Sequence, residues 1–138
     1  NFPARAIALR ERMLVDSNLD WGQDLGRLRT YLQKHGIPSV KLAYFGTASP
    51  RAVGLVHEVL PATGLYIGRE KEWPRARDLR AFDWVAVSAT TYAGIASDHR
   101  DFYRNLLGGL EPEERIGHSI LLYHLPAGWK RVSIPVYR

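Results

Sequence analysis

Trp21, Leu25, Leu28 and Leu32 recur at intervals of four, three and four, the spacing that lines apolar side chains along one stripe of a helix. This stripe constrains the fold most, because a single-striped helix is stable only when the stripe is buried against another element. Residues 12–16 (RMLVD) read as a short strand before it and residues 40–45 (VKLAYF) as a strand after it. Gly36 tolerates positive φ and Pro38 prevents continuation, so the helix should end near His35. Strand, helix and strand make a βαβ unit, with parallel strands and a right-handed crossover.

Further along, Ser49 suits a cap and Pro50 a first helical position, which predicts a short helix from about Pro50. Residues 56–82 hold prolines 61 and 74, glycines 64 and 68 and the charged run REKEW, and are expected to be loops around one short strand at 65–67. Residues 84–89 (WVAVSA) read as a buried strand. Ser97 is a candidate cap for a helix through Leu107 whose inner face is Phe102, Tyr103, Leu106 and Leu107, stopped by Gly108 and Gly109. Residues 119–125 (SILLYHL) form another strand, and 129–134 (WKRVSI) alternate as if to pair with it antiparallel across Pro126, Ala127 and Gly128. The expected fold class is α/β: a three-layer αβα sandwich with a mostly parallel sheet and an antiparallel C-terminal edge. The 138 residues contain no repeat, linker or low-complexity tract and read as a single domain, residues 1–138. A chain of that length buries roughly two-thirds of its unfolded surface.

Composition removes several chemistries. The chain has no cysteine, so disulfides, thiolate catalysis and Cys-based zinc sites are excluded. Its net charge is +5, with 15 arginines among 19 basic residues, which admits acidic sugars, lipid head groups and nucleic acids as partners. The arginines are scattered, with no run of five like charges and no nucleic-acid motif, so no specific nucleic acid is expected. No segment approaches 18 consecutive apolar residues and no basic-then-apolar signal leads the chain, which reads as soluble as it stands. It opens on Asn1, which suits a processed protein or an excised fragment equally.

The polar residues of 14–25 (LVDSNLDWGQDL) invite a chemical reading. A helix-loop-helix calcium site needs glycine at its sixth position and glutamate at its twelfth; counted from Asp16, those positions hold Trp21 and Arg27. No metal is expected there. Asp20 followed three residues later by Gln23 fits a capping box, and Asp24 suits the positive end of the helix dipole. Asp16, Ser17 and Asn18 remain, where a parallel strand ends and open α/β sheets collect ligands. Thr47 and Ser49 follow the second strand, and Ser88, Thr90 and Thr91 follow WVAVSA. Together with Asp20 these give a candidate rim of hydroxyls, amides and carboxylates suited to sugars. The alternative is that they only satisfy turn backbones, as such residues do everywhere.

Catalytic constellations are thin. The sequence has no GxSxG elbow, phosphate loop, GxGxxG fingerprint or HExxH helix, so no catalytic residue and no cofactor is assigned. Histidines 35, 57, 99, 118 and 124 are dispersed. Tyr44, Tyr92, Tyr123 and Trp129 are candidates for stacking on sugar rings, with core packing as the alternative.

Four blocks carry a family resemblance: residues 16–25 (DSNLDWGQDL), 43–50 (AYFGTASP), 87–90 (VSAT) and 116–123 (IGHSILLY). Together they resemble the C-terminal soluble region of bacterial multi-spanning glycosyltransferases similar to the dolichyl-phosphate-mannose protein mannosyltransferases. The resemblance implies an extracytoplasmic domain at the face of the bacterial membrane, cut from an enzyme whose membrane-embedded part carries the sugar-transfer chemistry. Its implied partners are that transmembrane portion and a saccharide or polyprenyl-phosphate-linked sugar. Thr91-Tyr92-Ala93-Gly94 departs from the expected asparagine-leucine-glutamine-glycine block. Two other readings stand beside it: a free-standing α/β hydrolase or transferase acting on glycosides or phosphoesters through Asp16 as base or metal ligand, and a structural module that docks on its own membrane helices through an exposed apolar patch.

Overall fold

The computed structural model describes residues 22–46, 48–61, 74–93 and 102–134. The striped segment is helix α1 (Gln23–Lys34), with Leu25, Leu28 and Leu32 buried. Each such leucine contributes about 2 kcal/mol. The helix ends as expected, with His35 capping it, Gly36 at φ 67 and Ile37 N–H donating to Leu32 O (2.8 Å). Its start differs. Gly22, at φ 109, is the N-cap and offers no side-chain cap, so the helix begins later than a capping box on Asp20 would have it. Asp20 and Trp21 themselves lie outside the described residues, as does the expected strand at 12–16.

Three strands run parallel: β1 (Val40–Ala43) lies between β2 (His57–Val59) and β4 (Trp84–Ser88). β6 (Ile120–His124) pairs antiparallel with β4, and β5 (Glu114–Ile116) antiparallel with β6. The result is a mixed five-stranded sheet in the order β2-β1-β4-β6-β5. A second sheet has two short antiparallel strands, β3 (Asp78–Leu79) and β7 (Val132–Ser133). This corrects the expected pairing of 129–134 with 119–125. Both edges of β6 are already taken by β4 and β5, so the following segment turns away and pairs with β3.

Three more expectations shift. The helix expected from Pro50 is a single turn, in which Ser49 Oγ accepts from Ala52 N–H (3.2 Å) and Leu55 N–H donates to Pro50 O (3.0 Å); Gly54 at φ 86 ends it. Residues 56–82 hold β2 and β3, while the expected strand at 65–67 lies outside the described residues. A short helix, α2 (Ala89–Ala93), follows β4 directly, and α3 (Phe102–Leu107) supplies the expected inner face, with Tyr103 and Leu107 buried and Phe102 and Leu106 partly so. The cap expected at Ser97, with His99, is also outside the described residues.

Strand alternation sorts the core into two apolar clusters. Val40, Leu42, Ala86, Ile120 and Leu122 pack with the α1 leucines. Val85, Val87, Leu121 and Tyr123 pack with Leu79 of β3 and Tyr103 and Leu107 of α3. Successive residues of a strand point to opposite faces, so both faces of the five-stranded sheet are covered. The α/β class is therefore observed, in a mixed sheet in which β6 runs against the other four strands and two of the four pairings are antiparallel.

Candidate functional site

In the first turn of α1, beside the carboxyl ends of β1 and β4, Asp24 ties the helix to the turn between β5 and β6. It is 5% exposed. Its Oδ2 accepts from Ser119 Oγ (2.6 Å), Ser119 N–H (2.8 Å) and His118 N–H (3.0 Å), and its Oδ1 accepts from Arg27 Nη1 (2.6 Å). Burial alone would push this carboxyl up. The Ser119 hydroxyl, the Arg27 guanidinium and the two backbone N–H groups outweigh it and hold the group below the ordinary carboxylate range. Gly117 makes the approach possible: at φ 57, a Cβ there would lie 2.0 Å from Asp24 Oδ1. A side chain would drive the carboxylate off its donors.

Other close contacts tie the same edge together. A Cβ on Gly22 would lie 3.1 Å from Ala48 Cβ, so the glycine before α1 rests against the segment after β1. Phe45 N–H donates to Ser88 Oγ (2.7 Å), joining the end of β1 to the end of β4. Ala89 N–H donates to Ser119 O (2.7 Å), joining β4 to the turn before β6. The described residues of the four blocks, Gly22 and Asp24, Phe45 and Ala48, Ser88 and Ala89, and Gly117 to Ser119, thus meet at one edge.

The candidate ligand residues divide. Asp16, Ser17, Asn18, Asp20 and Thr47 lie outside the described residues. Ser49 is half-buried and its hydroxyl serves its own turn. Ser88 is buried with its oxygen engaged by Phe45, and Thr90 is buried as well. Thr91 is 2% exposed, and its hydroxyl has no hydrogen-bond partner among the described residues. Of the aromatic candidates, Tyr44 and Tyr123 are core residues, Tyr92 stacks on Tyr123 (6.3 Å between centroids), and Trp129 packs against the second cluster. Sugar stacking therefore has no support from Tyr44 or Tyr123.

Three of the described histidines serve local structure. His35 stacks on Tyr31 (4.1 Å) and His124 on Trp84 (3.9 Å). His57 Nδ1 donates to Leu55 O (2.8 Å), and burial lowers its pKa. Among the described residues no group of three His, Asp or Glu side chains is placed to hold a metal ion, and no helix is long and apolar enough to cross a membrane. Sequence reasoning missed Asp24 as the hub, since a first-turn aspartate is explained locally and its partners lie 94 and 95 residues away. The chain finds no match among protein-family models, curated proteins or solved structures.

Proposed function

We propose that this chain is a noncatalytic accessory domain of a polyprenyl-phosphate-sugar-dependent membrane glycosyltransferase, acting at the extracytoplasmic face of a bacterial membrane and helping to position saccharide or acceptor. The observation that supports this reading is the meeting of the described residues of the four blocks near the carboxyl ends of β1 and β4. Blocks far apart in sequence that bond to one another at a ligand-collecting edge are what a shared functional region requires. The same proposal takes the sheet as the middle of a three-layer αβα sandwich, a reading supported by the apolar clusters on its two faces.

Titration of the labelled chain with candidate glycans and water-soluble polyprenyl-phosphate-sugar analogues, followed by amide chemical shifts, tests the positioning role. Shifts are expected at Gly22, Ala48, Ser49, Thr91 and His118. If no candidate moves these amides, the positioning role fails.

A further inference from the structure

At the amino end of β4, Arg80, Ala81, Phe82 and Asp83 form a turn closed by Asp83 N–H donating to Arg80 O (3.1 Å). Phe82 stands at φ 70, the one non-glycine residue with positive φ among the described residues, at the turn position where a left-handed backbone normally calls for glycine. The residue is 63% exposed. A left-handed backbone is costly for a bulky residue, and an exposed phenyl regains nothing by burial. The fold nevertheless holds the turn firmly. Phe82 N–H donates to Leu125 O and Leu125 N–H to Asp83 O (both 2.9 Å), while Asp83 Oδ2 accepts from Arg80 N–H (2.7 Å) and Lys41 Nζ (2.6 Å). The ring is thus presented to the outside on a rigid support.

Basic residues lie near this turn in the chain and in the strand register. Arg80 and Arg131 both donate to Asp78, at 3.1 Å and 2.8 Å, with side chains 66% and 65% exposed. The β3–β7 register, continued by one residue, sets Arg131 opposite Arg80, and the exposed Lys130 is next in the chain. The nearby acids, Asp78 and Asp83, sit inward of Arg80 and Arg131 and, through ion pairs with these arginines and with Lys41, offset part of the basic charge. Pro126, Ala127 and Gly128, also exposed, follow directly on Leu125, the residue bonded to Phe82. The tip is one projecting aromatic beside a small apolar loop, with three basic side chains at its base.

We infer that this tip docks on an anionic lipid bilayer, with Phe82 entering the boundary between head groups and acyl chains and Arg80, Lys130 and Arg131 meeting lipid phosphates. A protein partner of ordinary affinity needs a broad complementary face of about 800 Å², whereas a bilayer interface accepts a lone aromatic wedge and rewards each basic residue held near an anionic surface. The inference is independent of the saccharide role, which concerns the other end of β4.

Co-sedimentation of the 138-residue chain with vesicles tests it. Binding is expected to equal mixtures of phosphatidylcholine and phosphatidylglycerol at low salt, weakening as salt screens the phosphates, with little binding to phosphatidylcholine alone. Phe82→Gly relieves the backbone conformation, so it should unfold at the same or a higher temperature than the parent while its vesicle affinity falls about tenfold. Lys130→Glu should weaken binding to the anionic vesicles and leave unfolding unchanged. The proposal is overturned if the parent chain ignores anionic vesicles, or if Phe82→Gly binds them as the parent does. In the first case the tip is left to an acidic protein partner; in the second, adsorption is by charge alone.

Discussion

Asp24 shows how a residue with a sufficient local explanation acquires a larger role. A first-turn aspartate favours its helix by complementing the dipole, and this much was legible in the sequence. Its depressed pKa and its three bonds to His118 and Ser119 make it a tertiary clamp as well. Those partners lie beyond any local window and were not legible. Asp24→Ala should cost about 3 kcal/mol, since it strips a buried charge from its donors and leaves two backbone N–H groups unpaired. Because the folded-state pKa lies below the unfolded one, the stabilisation is fully present above the unfolded value of about 4 and is lost as pH falls through the folded value. Urea unfolding at a series of pH values should therefore show a steeper acid decline in the parent chain than in Asp24→Asn. His57, lowered by burial, acts earlier on the scale: it favours the fold above its unfolded pKa of about 6.5 and withdraws that support as pH falls below it.

Among the elements, the long periodic or strongly apolar segments were readable and the short charged ones were not. The Leu25, Leu28 and Leu32 stripe and the apolar run of β4 declare themselves by burial pattern. β5 is hidden in a charged stretch (EERIG) and β3 consists of two residues, so neither carries a period. The pairing expected for 129–134 rested on its alternation and on the Pro126-Ala127-Gly128 turn, and β5, which carries no such signal, already occupies that edge of β6. The β5–β6 turn also carries a measurable coupling. Gly117→Ala should destabilise by about 3 kcal/mol, from its left-handed backbone and the displaced Asp24 carboxylate. In an Asp24→Ala background only the backbone cost of about 1 kcal/mol should remain. A double-mutant cycle in urea reads the difference, and an interaction energy near zero would show that the two residues do not share the contact.

For the whole molecule, the alternation of strands and helices announced an α/β protein, but the balance of parallel and antiparallel strands depended on long-range choices that no local pattern records. The sheet centre, β1, β4 and β6, is buried on both faces, whereas the β3–β7 ribbon is two residues long and flanked by exposed arginines. Amide hydrogen exchange should accordingly divide the chain. The amides of Ala86, Val87 and Leu121 should exchange only with global unfolding, and that of Ile134, bonded to Arg77 O, roughly a hundredfold faster through local opening. Equal protection at both places would mean the ribbon opens only with the core.

β4 also sets a length. Its five residues run from the Phe82 turn at one end to Ser88 and the Asp24 hub at the other, a rise of about 17 Å at roughly 3.3 Å per residue. Were the phenyl ring seated among head groups as proposed above, that length would bound how far from the bilayer surface the Asp24 edge could stand, at about 17 Å along the strand.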